Sequence, residues 1–149
     1  MINRLRRLEL TSPCIKGNDV RTLQKALVKR GYEIEPDGIF GSLTEWAVEK
    51  FQREVRLTAN GIADTETQRI LYARDLFLND PYLMGSDVKE MQYLLARIGY
   101  DVAVDGVFGL QTRQAVFDFQ AYFNLPEDGI IQGRTLSQLL YLPSMAEAS

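Results

Sequence analysis

The 149-residue chain contains no histidine and a single cysteine, Cys14. Histidine and cysteine build the ligand shells typical of zinc hydrolases, and histidine is the base of Ser-His and Cys-His nucleophilic sites. One cysteine also cannot form a disulfide within the chain. These absences exclude whole classes of enzyme and leave only carboxylate or lysine chemistry for catalysis.

The sequence also lacks long apolar runs and an excess of positive charge. It is 46% hydrophobic and 25% charged, which is typical of a globular protein, and its formal net charge is -3. We therefore expect neither a membrane span nor a general nucleic-acid binder, which needs a basic face. The N-terminal segment MINRLRRLEL is basic, but no apolar stretch follows it. We accordingly expect no signal peptide and a protein that is cytoplasmic before another route delivers it.

Two stretches of the sequence share the same pattern of Asp, Gly, Phe and Thr residues. Residues 37–52 read DGIFGSLTEWAVEKFQ, and residues 105–120 read DGVFGLQTRQAVFDFQ, shifted by 68 positions. The same shift, without a gap, aligns Leu10 with Leu78, Pro13 with Pro81, Gly17 with Gly85, Gln24 with Gln92 and Gly31 with Gly99. The chain therefore consists of two tandem copies, roughly residues 8–71 and 76–139, and we predict two domains, 1–74 and 75–149.

Apolar residues at helical spacing predict three helices in each copy. In copy 1 we expect the first helix to have Asn18 or Asp19 as its N-cap and to stop at Gly31. The second is expected to start at Thr44, and a shorter third near Thr67. Copy 2 repeats the pattern. The predicted fold class is all-α, with two tandem three-helix bundles.

A shorter motif of Asp or Asn, then Gly, then Ile or Val, with Thr seven positions after its first residue, occurs four times. It begins at Asp37, Asn60, Asp105 and Asp128. The first side chain can fold back as an Asx-turn, the glycine takes a positive φ, and the threonine can cap the next helix. Only the first loop of each copy adds a Phe and a second Gly, as Phe40 with Gly41 and Phe108 with Gly109.

The first copy, GNDVRTLQKALVKRGY…DGIFGSLTEWAVEKFQ…NGIADTETQRIL, resembles the peptidoglycan-binding domain found on bacterial and phage cell-wall hydrolases. The second, GSDVKEMQYLLARIGY…DGVFGLQTRQAVFDFQ…DGIIQGRTLSQLL, matches as well. The resemblance implies three helices per copy and a noncatalytic role, holding a hydrolase or a phage particle against the wall. We therefore expect no enzyme activity and no cofactor, and a second protein subunit or a separate wall hydrolase as partner.

Peptidoglycan offers sugars with apolar faces, amide-rich stem peptides and free carboxylates. A surface that binds it would use an aromatic platform, open backbone N–H groups, hydroxyl or amide side chains and a cation. In the first copy the residues of these types near the repeated loop are Gln24, Arg30, Asp37, Phe40, Gly41 and Thr44. In the second copy they are Gln92, Arg97, Asp105, Phe108, Gly109 and Thr112. We predict that peptidoglycan binds at these loops.

Each of these residues also has a structural interpretation. Phe40 and Phe108 would fill the core, the aspartates would form turns, and the arginines would be solvated helix surface. Buried glutamines would tie the loops to the helices, because an amide can satisfy several backbone groups at once. The residues of that kind are Gln24, Gln52, Gln92 and Gln120. The sequence leaves both interpretations open.

The same residues bear on three other functions. The segment EIEPDGIFGSLT has alternating acidic residues like a calcium loop, but Thr44 stands where a bidentate Glu is required, which argues against a metal site. A glycosidase needs a carboxylate pair, such as Glu35 and Glu54, and neither has an acidic equivalent in copy 2. The remaining alternative is a structural subunit of a phage tail or similar assembly, in which the fold serves protein–protein contacts.

The copies differ on their helix faces. Trp46 in copy 1 corresponds to Gln114 in copy 2. Copy 2 in turn has four aromatic residues where copy 1 has none. They are Tyr93, Phe117, Tyr122 and Phe123, at the positions of Lys25, Glu49, Glu54 and Val55. One hypothesis is that the aromatic residues of copy 2 pack the copies together or dock a partner.

Overall fold

The computed structural model describes residues 5–141, and these residues form six α-helices. The chain divides into two compact units, unit 1 ending at Ala73 and unit 2 beginning at Arg74. Unit 1 contains α1 (Asn18–Lys29), α2 (Ser42–Glu54) and α3 (Thr65–Tyr72). Unit 2 contains α4 (Ser86–Arg97), α5 (Leu110–Tyr122) and α6 (Gly133–Tyr141). The predicted all-α fold with three helices per copy is confirmed.

The first helix of each unit packs against the other two. Helix α1 contacts α2 and α3, and α4 contacts α5 and α6. The buried apolar residues of α1 are three and four positions apart, at Val20, Leu23 and Leu27. Burial of each such side chain stabilises the fold by about 1.5–3 kcal/mol. Among the described residues, no helix is both long and apolar enough to cross a membrane.

Short antiparallel bridges hold the loops against the segments that precede the helices. In unit 1 the N–H of Leu8 donates to the carbonyl of Ala63 at 3.0 Å, and the N–H of Ala63 donates back at 2.7 Å. The four bridges of the described chain are Leu8 with Ala63, Lys16 with Ile39, Leu76 with Ile131, and Met84 with Val107. Both units therefore fix their loops in the same way.

The second and third helices begin earlier than predicted. Helix α2 begins at Ser42 instead of Thr44, and α3 begins at Thr65 instead of Thr67. The predicted hydroxyl cap is wrong, because Thr44 lies inside α2 and its oxygen accepts a hydrogen bond from a buried amide. The N-cap position of α2 is Gly41, which has no side chain to offer.

The start of α1 also differs from the prediction. Gly17 is the N-cap, with φ of 147°, and both Asn18 and Asp19 already belong to the helix. The Asp19 carboxylate instead receives two hydrogen bonds from the Arg6 guanidinium, at 2.6 and 2.8 Å, which lower its pKa. The end of the helix is as predicted, since Gly31 follows its C-cap with φ of 101°.

Candidate functional site

A buried glutamine organises the first loop of unit 1. The Gln24 Nε2 donates to Asp37 Oδ1 at 3.1 Å, to the Ile39 carbonyl at 3.0 Å and to Thr44 Oγ1 at 3.0 Å. Its Oε1 accepts from the Gly38 N–H at 2.8 Å. Because the residue is only 1% exposed, its side chain makes its hydrogen bonds within the fold. We call this set of contacts a glutamine clamp.

The same clamp occurs four times in the described chain. The other three are centred on Gln52, Gln92 and Gln120 and hold the loops that begin at Asn60, Asp105 and Asp128. Their donor–acceptor distances from Nε2 lie between 2.8 and 3.1 Å. The prediction that these glutamines tie loops to helices is confirmed. In each clamp the threonine hydroxyl accepts a hydrogen bond from the glutamine amide.

The aspartate that begins each repeated loop forms the predicted Asx-turn. The Asp37 Oδ1 accepts from the Ile39 N–H at 2.9 Å, and the Asp105 Oδ1 accepts from the Val107 N–H at 3.0 Å. These backbone hydrogen bonds, and then the clamp amides, lower the pKa of both carboxyl groups. The glycines that follow have φ of 81° and 76°, a region that favours glycine. Both aspartates thus have a turn role in the fold.

The two loop phenylalanines are core residues. Phe40 and Phe108 are both 0% exposed, so neither ring presents a face on which a sugar could stack. The platform interpretation is therefore wrong for both rings, and the core-filling interpretation is correct. The clamp side chains of Gln24, Gln92, Thr44 and Thr112 are likewise buried and already hydrogen-bonded, which leaves them no surface for a ligand.

The two predicted arginines have different surroundings. The Arg30 Nη2 donates to the carbonyls of Ile70 and Leu71 at 3.2 and 3.4 Å, where the last turn of α3 leaves carbonyls without helical partners. Its guanidinium carbon also lies 5.3 Å from the centroid of the Phe51 ring. Arg30 therefore stabilises the packing of α3, whereas Arg97 is exposed at the end of α4.

The second glycine of each repeated loop lies at a helix N-cap. Gly41 and Gly109 are both half-buried, ahead of α2 and α5. A Cβ placed on Gly41 would meet nothing within 4 Å, whereas one on Gly109 would lie 3.9 Å from the Tyr82 ring. The surface beside the loop is thus open in unit 1 and bordered by an aromatic ring in unit 2.

The exposed surface next to the unit 1 loop includes residues that the sequence analysis did not place in the site. On α2, Leu43 is 67% exposed and Trp46 is 46% exposed. The Lys50 Nζ lies 5.1 Å from the centroid of the Trp46 ring. We call these three residues the Trp46 face. The sequence signal that could have found them is the difference between copies, since none of the three is repeated in copy 2.

In unit 2 the exposed apolar residues lie elsewhere around the loop. Tyr82 lies against Gly109, Met84 forms the bridge with Val107, and Leu110 begins α5. The side chains of Tyr82, Met84 and Leu110 are all exposed, and we call them the Tyr82 patch. Within residues 5–141, no cluster of three or more Cys, Asp or Glu side chains could hold a metal ion.

Comparison with known proteins matches both units to the same family model. The model of the peptidoglycan binding domain matches residues 16–71 and 84–139, together most of the chain. The chain belongs to the peptidoglycan-binding domain family. Each match begins just before the first helix of its unit and extends into the third. The resemblance noted in the sequence is therefore confirmed for both copies.

Two relatives are named as N-acetylmuramoyl-L-alanine amidases. The chain is 27% identical over 154 residues to a probable N-acetylmuramoyl-L-alanine amidase of Bacillus licheniformis, covering 86% of this chain and 44% of that protein. It is 36% identical over 116 residues to the N-acetylmuramoyl-L-alanine amidase CwlM of Mycobacterium tuberculosis, covering 71% and 28%. The chain thus spans less than half the length of these relatives. The crystal structure of a Burkholderia AP3 phage endolysin matches with 29% identity and a TM-score of 0.43, covering 76% of this chain and 38% of that one.

Proposed function

We propose that this protein is a noncatalytic module that binds bacterial peptidoglycan and holds a partner against the cell wall. Its two binding domains would be residues 1–74 and 75–149. The observation that carries the proposal is the match of both units to the peptidoglycan-binding family. The matched segments fill most of this chain, which supports a binding role for both units.

The chemistry of the repeated loops argues against a general acid at either aspartate. A carboxyl group that acts as a general acid near neutral pH needs a raised pKa. The pKa values of Asp37 and Asp105 are instead lowered by hydrogen bonds to the ionised form. The exposed residues beside the unit 1 loop are apolar, aromatic and cationic, which suits sugars and carboxylates.

The partner in this proposal is a separate wall hydrolase or a phage or injection particle, and the protein acts at the wall as a virion or lysis-released component. Two binding units in one chain gain avidity on a repetitive polymer when both engage it, because the second contact is made at a high effective concentration. The family membership of each unit supports this arrangement.

Co-sedimentation of the purified chain with insoluble peptidoglycan sacculi tests the proposal. We expect saturable pelleting with sacculi, little pelleting with insoluble cellulose, and no release of soluble sugars or peptides from the wall. A chain that stays in the supernatant at all sacculus concentrations would contradict the binding role. Release of soluble wall fragments by the pure protein would contradict the noncatalytic role.

A second candidate function is a structural subunit of a phage tail or similar assembly. The observation that favours it is the Tyr82 patch, because three exposed apolar side chains beside one loop are typical of a protein contact. Wall binding and subunit docking are compatible when each unit carries out one of them. Failure to pellet with sacculi, together with stable association into a larger particle, would favour this function.

A further inference from the structure

Three positions on the outer side of the second helix differ in chemistry between the two units. In α2 they are Leu43, Trp46 and Lys50, which are three and four residues apart and therefore share one side of the helix. The corresponding positions of α5 are Gln111, Gln114 and Asp118. The contrast is between an apolar, aromatic and cationic face and a polar face with a negative charge.

The Trp46 face of unit 1 is accessible. Leu43 and Trp46 are both exposed, although burial of such large apolar side chains would be favourable. The Lys50 ammonium lies over the indole ring, 5.1 Å from its centroid, and adds a positive charge there. The neighbouring Glu49 carboxylate pairs with Arg53 at 2.6 Å, so this carboxylate is already matched by another cation.

The equivalent face of unit 2 is occupied by its own hydrogen bonds. The Gln114 Nε2 donates to Asp118 Oδ1 at 3.0 Å, one helical turn away. The Gln111 Oε1 accepts from the Ala103 N–H at 3.0 Å. These amides are engaged with the protein, and the carboxylate would repel an anionic polymer.

We propose that the Trp46 face is the surface through which unit 1 contacts the glycan strand. The indole stacks on the apolar face of a sugar ring, and the Lys50 ammonium pairs with a carboxylate on the same strand. This inference rests on the proposed function and names the residues that perform it. Charge complementarity identifies peptidoglycan as the ligand of the Trp46 face, because its carboxylates are attracted by Lys50 in unit 1 and repelled by Asp118 in unit 2.

The fluorescence of the intact chain tests the contact directly, because Trp46 is its single tryptophan. Two soluble probes separate the two parts of the proposal: chitotetraose, which is neutral, and peptide-free glycan strands, which carry the lactyl carboxylate. We expect a saturable change in emission with both probes and about two- to fivefold tighter binding of the charged strands. Lys50→Gln should remove that preference and retain chitotetraose binding.

Binding to sacculi by matched variants gives an independent readout. Trp46→Ala should weaken binding about three- to tenfold, and Trp46→Phe should retain most of it because an aromatic face remains. Gln114→Ala at the equivalent position of unit 2 is the control and should leave binding unchanged. Circular dichroism of each variant should match the wild type, because both replaced side chains are exposed.

The outcomes distinguish this inference from the proposed function. A wild type that does not pellet with sacculi would overturn both. Two results together would overturn only the role of the Trp46 face. The wild type and the folded Trp46→Ala variant would pellet with sacculi to the same extent, and neither glycan probe would change the tryptophan emission of the wild type. An emission change with isolated stem peptide and none with the glycan probes would also overturn it, because the face would then bind peptide.

Discussion

The two units share a buried framework and differ on their outer surfaces. The clamp distance from Gln24 to Thr44 is 3.0 Å, and that from Gln92 to Thr112 is 2.9 Å. The same agreement does not extend to the outer side of the second helix, where Trp46 in unit 1 is replaced by a glutamine in unit 2. Because the framework satisfies its own polar groups internally, it can carry different surfaces. Repeated residues therefore mark the fold, and unrepeated residues mark where the units can bind differently.

Unit 2 also has exposed apolar residues that unit 1 lacks. The Tyr82 patch of unit 2 corresponds in unit 1 to Cys14, Lys16 and Ser42, two of which are polar or charged. Each unit thus exposes apolar side chains near its repeated loop, but at different positions. The unit 1 residues combine an indole with a cation, and the unit 2 residues are uncharged. This distinction favours the second helix of unit 1 as the proposed glycan contact and the Tyr82 patch of unit 2 as the surface for the alternative protein contact.

The largest loss of stability is expected when a loop phenylalanine is removed from the core, and comparing the two units tests whether they share the same buried framework. Phe40→Ala and Phe108→Ala should each destabilise the protein by about 3–5 kcal/mol, because each removes a fully buried ring from a core. Urea unfolding followed by circular dichroism measures the change. Leu43→Ala, at an exposed position, is the control and should change stability by less than about 0.5 kcal/mol. A Phe40→Ala protein with wild-type stability and lost sacculus binding would restore the platform interpretation.

The sequence predicted the turns because their chemistry is local. An Asx-turn involves residues two positions apart, such as Asp37 and Ile39, and the glycine between them reports the backbone conformation. The threonine cap was predicted wrongly because the true partner of Thr44 is Gln24, twenty positions away. A local pattern shows that a hydroxyl occurs near a helix start, but it does not show which distant amide will reach that hydroxyl.

The surface residues were harder to predict than the framework. Repetition drew attention to Phe40 and Phe108, yet a residue kept in both copies is explained most simply by the fold that both copies share. Their burial depends on how the loop packs in the folded unit, which spacing alone does not determine. Trp46 was visible as a difference between copies, and only the structure shows that it is exposed beside Lys50.

A smaller loss of stability is expected when the glutamine of a clamp is replaced by an apolar side chain of similar size. Gln24→Met and Gln92→Met should each destabilise the protein by about 2–4 kcal/mol, because a buried backbone N–H and a carbonyl lose their partner. Thermal and urea unfolding should give similar losses for the two variants. Gln114→Ala, which removes an exposed glutamine, is the matched control. A marked difference between the two clamp variants would show that the units do not use equivalent frameworks.

The smallest effect at neutral pH is expected for Asp37→Asn and Asp105→Asn. The chain already contains the substituted form, since Asn60 accepts from the Ile62 N–H at 2.9 Å and from a clamp amide at 3.1 Å. An asparagine oxygen should therefore keep the turn and the clamp. What it removes is the charge, so these variants isolate the electrostatic part of the loop from its geometry.

The pH dependence of stability separates the charge from the turn. The pKa of both aspartates is lowered from 3.8 in the folded protein, so the ionised carboxylates stabilise the fold. This contribution is present above the unfolded pKa and is lost as pH falls through the lower folded pKa. We expect the double Asn variant to lose less stability than the wild type on acidification below about pH 4, measured by thermal unfolding at each pH. Asp19 and Asp87, whose pKa values are also lowered, remain in the variant, so part of the acid sensitivity should persist. Identical acid profiles would show that the loop charges contribute nothing beyond the turn that an asparagine can also make.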